Sequence, residues 1–503
     1  MDNLSLNLLI FSPIAASLLF FIPIFRDNEV IIRRFAKTFA GLHFAYAMCF
    51  CVFFNSDVSY FDELFLFGQS GIQSLGIRTA FAMDGLSLVM VVLSSFLFFM
   101  ATIASKTVIR KRHKLYYGLL LALETAVIGV FTSADIFMFF LFWELELIPM
   151  YFLISLWGSG NSQKSAMKFL LYTFMGSLFL LIGILLLNYY SDTLNQQMTS
   201  LFADINVVDK LPVNIQILIS ILLMIGFFVK LPIVPLHTWL PNAHCDAPAP
   251  ISILLAGLLL KMGAYGFIKF NILLLPDAFK IIAPVLIILA VINIIHAGLC
   301  AYNQKDIKKI IAYSSISNMG IVMLGLCTNN EQGAVGGIFH MVSHGLICAG
   351  LFMIVGIIYG RTKTRDINAI SGLASVMPNL AILSVLFSFA AVGVPLLMGF
   401  VSEFLTFWGA FNAQYETVIY IPLVVLCALS VLILSTAYMF KFLHKTFFGI
   451  IDDSWSILKD ISAHEFIILT SIMGVIIFFG IHPMSLVDII KPFVDIMIES
   501  AGI

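Results

Sequence analysis

Residues 228–250 read FVKLPIVPLHTWLPNAHCDAPAP and set Lys230 and His237 beside Pro232 and Pro235 in an otherwise apolar part of the chain. The window from Val213 to His244 holds 32 residues, ~48 Å of α-helix, where ~30 Å of hydrocarbon needs only about 20 residues. Pro232 and Pro235 lack a backbone donor and clash with the preceding turn. The spacing therefore predicts a helix that stops just after Lys230. In lipid a free backbone end is costly, and such a break survives only where protein or a water-filled cavity satisfies its carbonyls.

Composition points to the same solvent. Of 503 residues, 61% are hydrophobic and 11% charged, and the mean hydropathy is +1.03. That leaves too little polar surface for a water-soluble globule of this size and predicts an all-α polytopic membrane protein. A net charge of −1, with no basic tail, argues against nucleic acid as a partner. The seven cysteines lie scattered in apolar segments without CxxC spacing, so they read as small buried hydrophobes rather than cluster or zinc ligands. The N-terminus lacks a basic region and a small-residue cleavage site, which predicts a retained first helix.

Apolar windows of about 20 residues begin near Leu4, Phe35, Gly85, Leu115, Ile136, Ser165, Val213, Pro250, Lys280, Ile310, Gly333, Pro378, Val418 and His464, which makes about 14 transmembrane helices. Charge tests the count independently. Twenty of the 27 basic residues fall in odd-numbered connections and four, Arg78, Lys210, Lys280 and Lys491, in even ones or the C-terminal tail. The positive-inside rule then puts both termini on the periplasmic side of a bacterial inner (plasma) membrane. No linker or second soluble domain is evident, so residues 1–503 read as one transmembrane domain.

Ionisable residues at membrane depth cost at least ~2.5–3.5 kcal/mol each and are functional candidates by default. They are Glu124, Glu144, Glu146, Lys230, His237, Lys261, Lys269, His296, His340, His344 and Glu403. Lys269, near the end of its span, is expected to snorkel, and His296 to be a packing histidine. Glu144 and Lys261 lie too deep to reach water without an internal cavity. A second overlong span, Pro378 to Phe411, contains GVPLLMGFVSEF, in which Gly393, Pro395 and Gly399 loosen the helix beside Glu403. Two broken helices, each with an ionisable residue at the break, point to a transport site. They lie five spans apart, and because five is odd, two five-helix units must be inverted relative to one another. The expected repeats cover 114–275 and 280–445, with flanking helices at 4–25, 35–54, 85–105 and 464–488.

The segments FFLFWELELIPMYFLISLWG (139–158), VKLPIVPLHTWLPNAHCDAPAPISILLAGLLLKMGAYG (229–266), DIKKIIAYSSISNMG (306–320), MVSHG (341–345) and GFVSEF (399–404) together resemble the proton-translocating antiporter-like subunits of respiratory complex I. They also resemble the relatives of these subunits in multisubunit cation/proton antiporters. The resemblance covers essentially the whole chain. Within the group it is strongest to the M-type subunits of bacterial NADH:quinone oxidoreductase, because the chain stops after a fourteenth span and carries Glu403 where sister subunits typically have lysine. The resemblance implies that Glu144 pairs with Lys230, that Lys261 is the central-channel lysine, that Glu403 is the terminal acid, and that His237 and His344 bridge the file with waters. It also implies NADH, FMN, iron–sulfur clusters and quinone in other subunits, with no cofactor in this chain, and neighbouring antiporter-like subunits and the lipid bilayer as partners.

Two departures matter. Asn318 stands where the family usually has histidine, and His340, one turn from His344, is expected to supply the missing relay. The HMVSH spacing resembles HExxH, but Met341 replaces the glutamate and no third ligand is near, so no metal site is expected. Glu146 lies about 200° around the helix from Glu144 and is expected to meet a neighbouring helix or a partner subunit. The alternatives to a complex I proton channel are a cation/proton antiporter subunit, against which Glu403 counts, and a quinone-binding redox subunit.

Overall fold

The computed structural model describes residues 5–20, 22, 28–54, 60–63, 79–195, 211–413, 415 and 420–500. Arg26, Arg78 and Lys210 lie outside the described residues, as does most of the connections at 55–84 and 189–212. The chain begins with α1 (Leu6–Leu19) and α2 (Glu29–Phe53), then the antiparallel hairpin β1 (Tyr60–Glu63) and β2 (Ala80–Met83). It continues through α3 (Gly85–Val108), α4 (His113–Thr132), α5 (Ile136–Leu145), α6 (Leu147–Trp157) and α7 (Ser162–Asn195). Next come α8 (Val213–Lys230), α9 (Leu240–Asp246), α10 (Ala249–Leu254), α11 (Leu260–Gly266), α12 (Pro276–Asn303), α13 (Ile307–Leu326) and α14 (Glu331–Thr362). The last elements are α15 (Pro378–Ala391), α16 (Met398–Asn412), α17 (Tyr420–Phe447), α18 (Ala463–Ile481) and α19 (Met484–Ser500).

Twelve of the described helical segments are long and apolar enough to cross a membrane, and the windows predicted at Leu4 and Pro378 hold the shorter apolar helices α1 and α15. α15 is short because it is half of a broken span. The last predicted window also ends early. α18 stops at Ile481, and α19 forms a separate amphipathic helix that buries Leu486, Ile490, Phe493, Val494 and Met497 against α3 and α14.

Charged and amide side chains start the helices where the chain leaves the apolar layer. Asp84, Asp135, Asp306 and Asn330 accept from the first backbone amides of α3, α5, α13 and α14, satisfying donors that have no partner within the helix. Helix α14 and the segment 249–273 lie almost wholly inside the bundle, whereas α7 and α17 turn Leu171, Phe174, Leu432, Ile433 and Phe440 outward. Acyl chains are as apolar as these side chains, so a face that would be costly in water is neutral in lipid.

Both helix breaks fall where the sequence places them. α8 ends at Lys230, and a run of turns leads to α9. The freed backbone is satisfied inside the protein: the Val234 amide donates to Asn293 Oδ1 at 2.9 Å, and the Trp239 indole donates to the Val229 carbonyl at 2.8 Å. The second break separates α15 from α16, with Gly393 at φ +77° and Leu396 at φ +72°. A Cβ at 393 would also stand 2.4 Å from Glu403 Oε2 and would displace that carboxyl.

Candidate functional site

At the first break the ammonium of Lys230 lies 2.8 Å from Glu146 Oε1, with both side chains almost completely buried. It also donates to the Trp143 carbonyl at 3.2 Å and sits 3.6 Å above the Trp143 ring. The contact ion pair of Lys230 is with Glu146, while Glu144, the partner the resemblance implies, lies outside contact distance but within electrostatic reach of Lys230. The reason is local. The chain turns at Glu146, between α5 and α6 and three residues before Pro149, and this turn points Glu146 into the bundle. Glu144, on the other side of the helix, is half-buried with its Oε1 unpaired. Glu146 does meet a neighbouring helix, α8, as its angular separation from Glu144 suggested.

The centre of the file is built on a helix that is not regular. A π-helical turn at Leu255–Leu259 precedes Lys261, and a second covers Phe267–Leu273. Such wide turns recur at functional sites because they displace backbone carbonyls from the helix ladder. Lys261, fully buried, donates to the Ala256 carbonyl at 2.5 Å and to His344 Nδ1 at 2.7 Å. With Nδ1 accepting, the neutral ring carries its proton on Nε2, 3.1 Å from Cys348 Sγ.

The departure at Asn318 is resolved by direct contact. Asn318 Nδ2 donates to the Ser314 carbonyl at 2.8 Å, which orients its Oδ1 to accept from His340 Nε2 at 3.1 Å. His340 Nδ1 then lies 2.8 Å from the Ser402 hydroxyl, which is also 2.8 Å from the Gly399 carbonyl. The Ser402 proton thus has two acceptors and one position at a time. Glu403, the next residue, is half-buried. Together with Asn318, His340 and His344 it lines a cavity of about 10 Å³, room for roughly one water. Among the described residues Glu403 has no ion-pair partner.

Other predicted residues are placed differently. His237 is buried with Nδ1 unpaired, its ring 5.3 Å from that of His296, and no hydrogen bond or ion pair joins it to Lys230 or Lys261. His296, expected to be a packing group, is therefore its neighbour at the break. Lys269 reaches along its span to Asp84, the N-cap of α3, in a partly exposed ion pair, and its ammonium lies 4.8 Å from the Phe493 ring of α19. Glu124 pairs with His43 at 2.8 Å, and His43 Nε2 meets the Leu9 carbonyl at 2.9 Å, which ties α1, α2 and α4 together. Sequence reasoning did not single out Trp143, Ser402 or Cys348. All three are residues of the quoted segments or of the turn after MVSHG, but none carries a charge to draw attention to it.

A helical bundle holding buried lysines, histidines and carboxylates along two broken helices defines an ion-translocating membrane protein. Residues 133–431 match the model of the NADH:quinone oxidoreductase/Mrp antiporter membrane family, and residues 37–130 match the amino terminus of NADH-ubiquinone oxidoreductase chain 4. The chain belongs to this NADH:quinone oxidoreductase/Mrp antiporter family. It is 39% identical over 483 residues to an NAD(P)H-quinone oxidoreductase chain 4 of Thermosynechococcus vestitus, covering 95% of this chain and 89% of that one. A chain 4 of Synechocystis is 36% identical over 504 residues, covering 99% and 94%. A subunit of respiratory complex I from Thermus thermophilus superposes with a TM-score of 0.84 at 27% identity, covering 98% of this chain and all of that one. A chain of the Mrp complex from Dietzia shares the fold, with a TM-score of 0.86 at 19% identity over 99% and 98%.

Proposed function

We propose that this chain carries protons through the membrane arm of an NADH:quinone oxidoreductase, driven by redox chemistry in other subunits that hold NADH, FMN, iron–sulfur clusters and quinone. The observation that carries this reading is the buried contact of Lys261 with His344, continued from His340 on the same helix through Asn318 and Ser402 to the cavity beside Glu403. Each neighbour in that run either donates or accepts, and a proton leaving one atom meets an acceptor within hydrogen-bond reach or one water away. Lys230 with Glu146 loads the file at the first break, and Glu144 is the carboxyl at its outer edge. His237 serves the same break with His296.

The family relatives support the enzyme-subunit reading, since those quoted are named as chains of NAD(P)H-quinone oxidoreductases. Spans four to eight (114–275) and nine to thirteen (280–445) form the inverted repeats, each holding one broken helix. The basic connections face the cytoplasm of a bacterium and both termini face the periplasm, with neighbouring antiporter-like subunits on either flank.

The test is Lys261→Met in the assembled complex. In inside-out membrane vesicles, NADH-driven proton uptake is expected to fall at least tenfold, while NADH oxidation with an artificial acceptor stays at the wild-type level. Wild-type proton uptake in this variant would overturn the assignment.

A further inference from the structure

A further cavity lies apart from the residues of the proton file. It has a volume of about 330 Å³ and is lined by Arg110, Lys308, Lys363 and Arg365 together with Trp157 and Tyr359. The four cations come from the connection after α3, from α13 and from the segment that follows α14, so the fold converges three separate segments on one space. Two acids stand nearby. Asp306 is 3.3 Å from Arg365, and Asp246 is engaged by the Ser165 hydroxyl at 2.6 Å. The cluster keeps an excess of positive charge.

Lys308 makes the excess chemically specific. Its side chain is buried, and its ammonium donates to the Ala247 carbonyl at 2.5 Å without a carboxylate in ion-pair contact among the described residues. Asp306 and Asp246 offset the cost of burying this ammonium only from beyond contact distance, and an anion in the cavity would meet it directly. Arginine presents a planar fork that matches phosphate oxygens; Arg110 supplies one at the cavity, while Arg365 is held beside it by Asp306 and the Cys245 carbonyl.

The cavity lies at the level where helices leave the membrane, beside the ends of α3 at Val108, α6 at Trp157 and α14 at Thr362. Tryptophan and tyrosine favour that interface, and here Trp157 and Tyr359 give the basic pocket an apolar wall. From charge, depth and wall chemistry we infer that this pocket binds the phosphate headgroup of an anionic phospholipid, with the first acyl carbons against Trp157 and Tyr359. Basic pockets between helices on the cytoplasmic side are suited to such headgroups.

The test uses the purified, delipidated complex and hydrogen–deuterium exchange of residues 356–366. Dioctanoyl phosphatidylglycerol is expected to slow exchange of this segment, and dioctanoyl phosphatidylcholine to leave it unchanged. Lys308→Gln is expected to raise the half-saturating concentration at least tenfold. Because removing a buried lysine can impair assembly, the double variant Arg110→Gln with Lys363→Gln, at exposed positions, provides the same reading with an expected tenfold weakening. Equal slowing by inorganic phosphate at the same concentration would overturn the lipid assignment in favour of a free anion. Slow exchange already present without lipid, and unmoved by it, would overturn the site in favour of a neighbouring subunit's acidic segment.

Discussion

The two broken helices solve the same problem in opposite ways. At the first, charge is met by charge: Lys230 sits between the carboxylate of Glu146 and the face of Trp143, sealed from outside. At the second, Glu403 stands beside a glycine turn and a space for one water, with no described cation against it. A buried pair holds its charges in place because removing one partner leaves the other stranded. A lone carboxyl beside a cavity can change its proton without stranding anything. The first break therefore keeps the tighter hold on its charges, and the second gives the readier release.

The largest effect that tests this contrast is on assembly. Lys230→Met strands Glu146 and is expected to cost ~3–5 kcal/mol, seen as loss of the chain from the purified complex. Adding Glu146→Gln should restore assembly without restoring proton uptake. If Glu403→Gln destabilises the complex as much as Lys230→Met, the contrast fails, because Glu403 must then have a cation of its own.

Next in size is the effect of Glu403→Gln itself, expected to leave assembly unchanged and lower NADH-driven proton uptake about tenfold. The two carboxyls of the first break should then separate by phenotype. Glu146→Ala should reduce the amount of assembled complex, whereas Glu144→Ala should assemble and lose proton uptake and coupled quinone reduction. Glu144→Asp should retain part of the activity, since the charge persists one methylene away. Identical phenotypes for the two alanine variants would show that the pair acts as one unit.

The smallest effect concerns the relay. His340→Ala should slow proton uptake severalfold, and Asn318→His in the same chain should recover much of the loss, because the two side chains already touch at 3.1 Å. A silent His340→Ala would confine His340 to packing.

The breaks were legible in the sequence because proline and glycine act locally. Pro232 ends α8 at Lys230 whatever surrounds it, and Gly393 supplies the positive φ that the second turn needs. The partner of Lys230 was not legible. Angular spacing separates Glu144 from Glu146 correctly but cannot say which of them faces inward, and the turn before Pro149 decides that. Nor does any residue pattern announce the π-helical turn that places the Ala256 carbonyl under Lys261. The partner of Lys269 was hidden for a related reason, since Asp84 lies 185 residues away in sequence.

Helix α14 runs its 32 residues unbroken between these two breaks and carries both His340 and His344. Near one end Arg361 grips Glu465 of α18 through two nitrogens, at 2.7 and 3.2 Å. Along its length glycines bring it against other elements so closely that a single methyl group would collide: Gly336 with the Thr406 backbone, Gly350 with Phe387 and Gly356 with Ala249. In mechanical terms α14 is a fixed beam and the half-helices are hinged members hung from it. The two histidines then form the stationary rail of the device, and any stroke must be made by the pieces on either side.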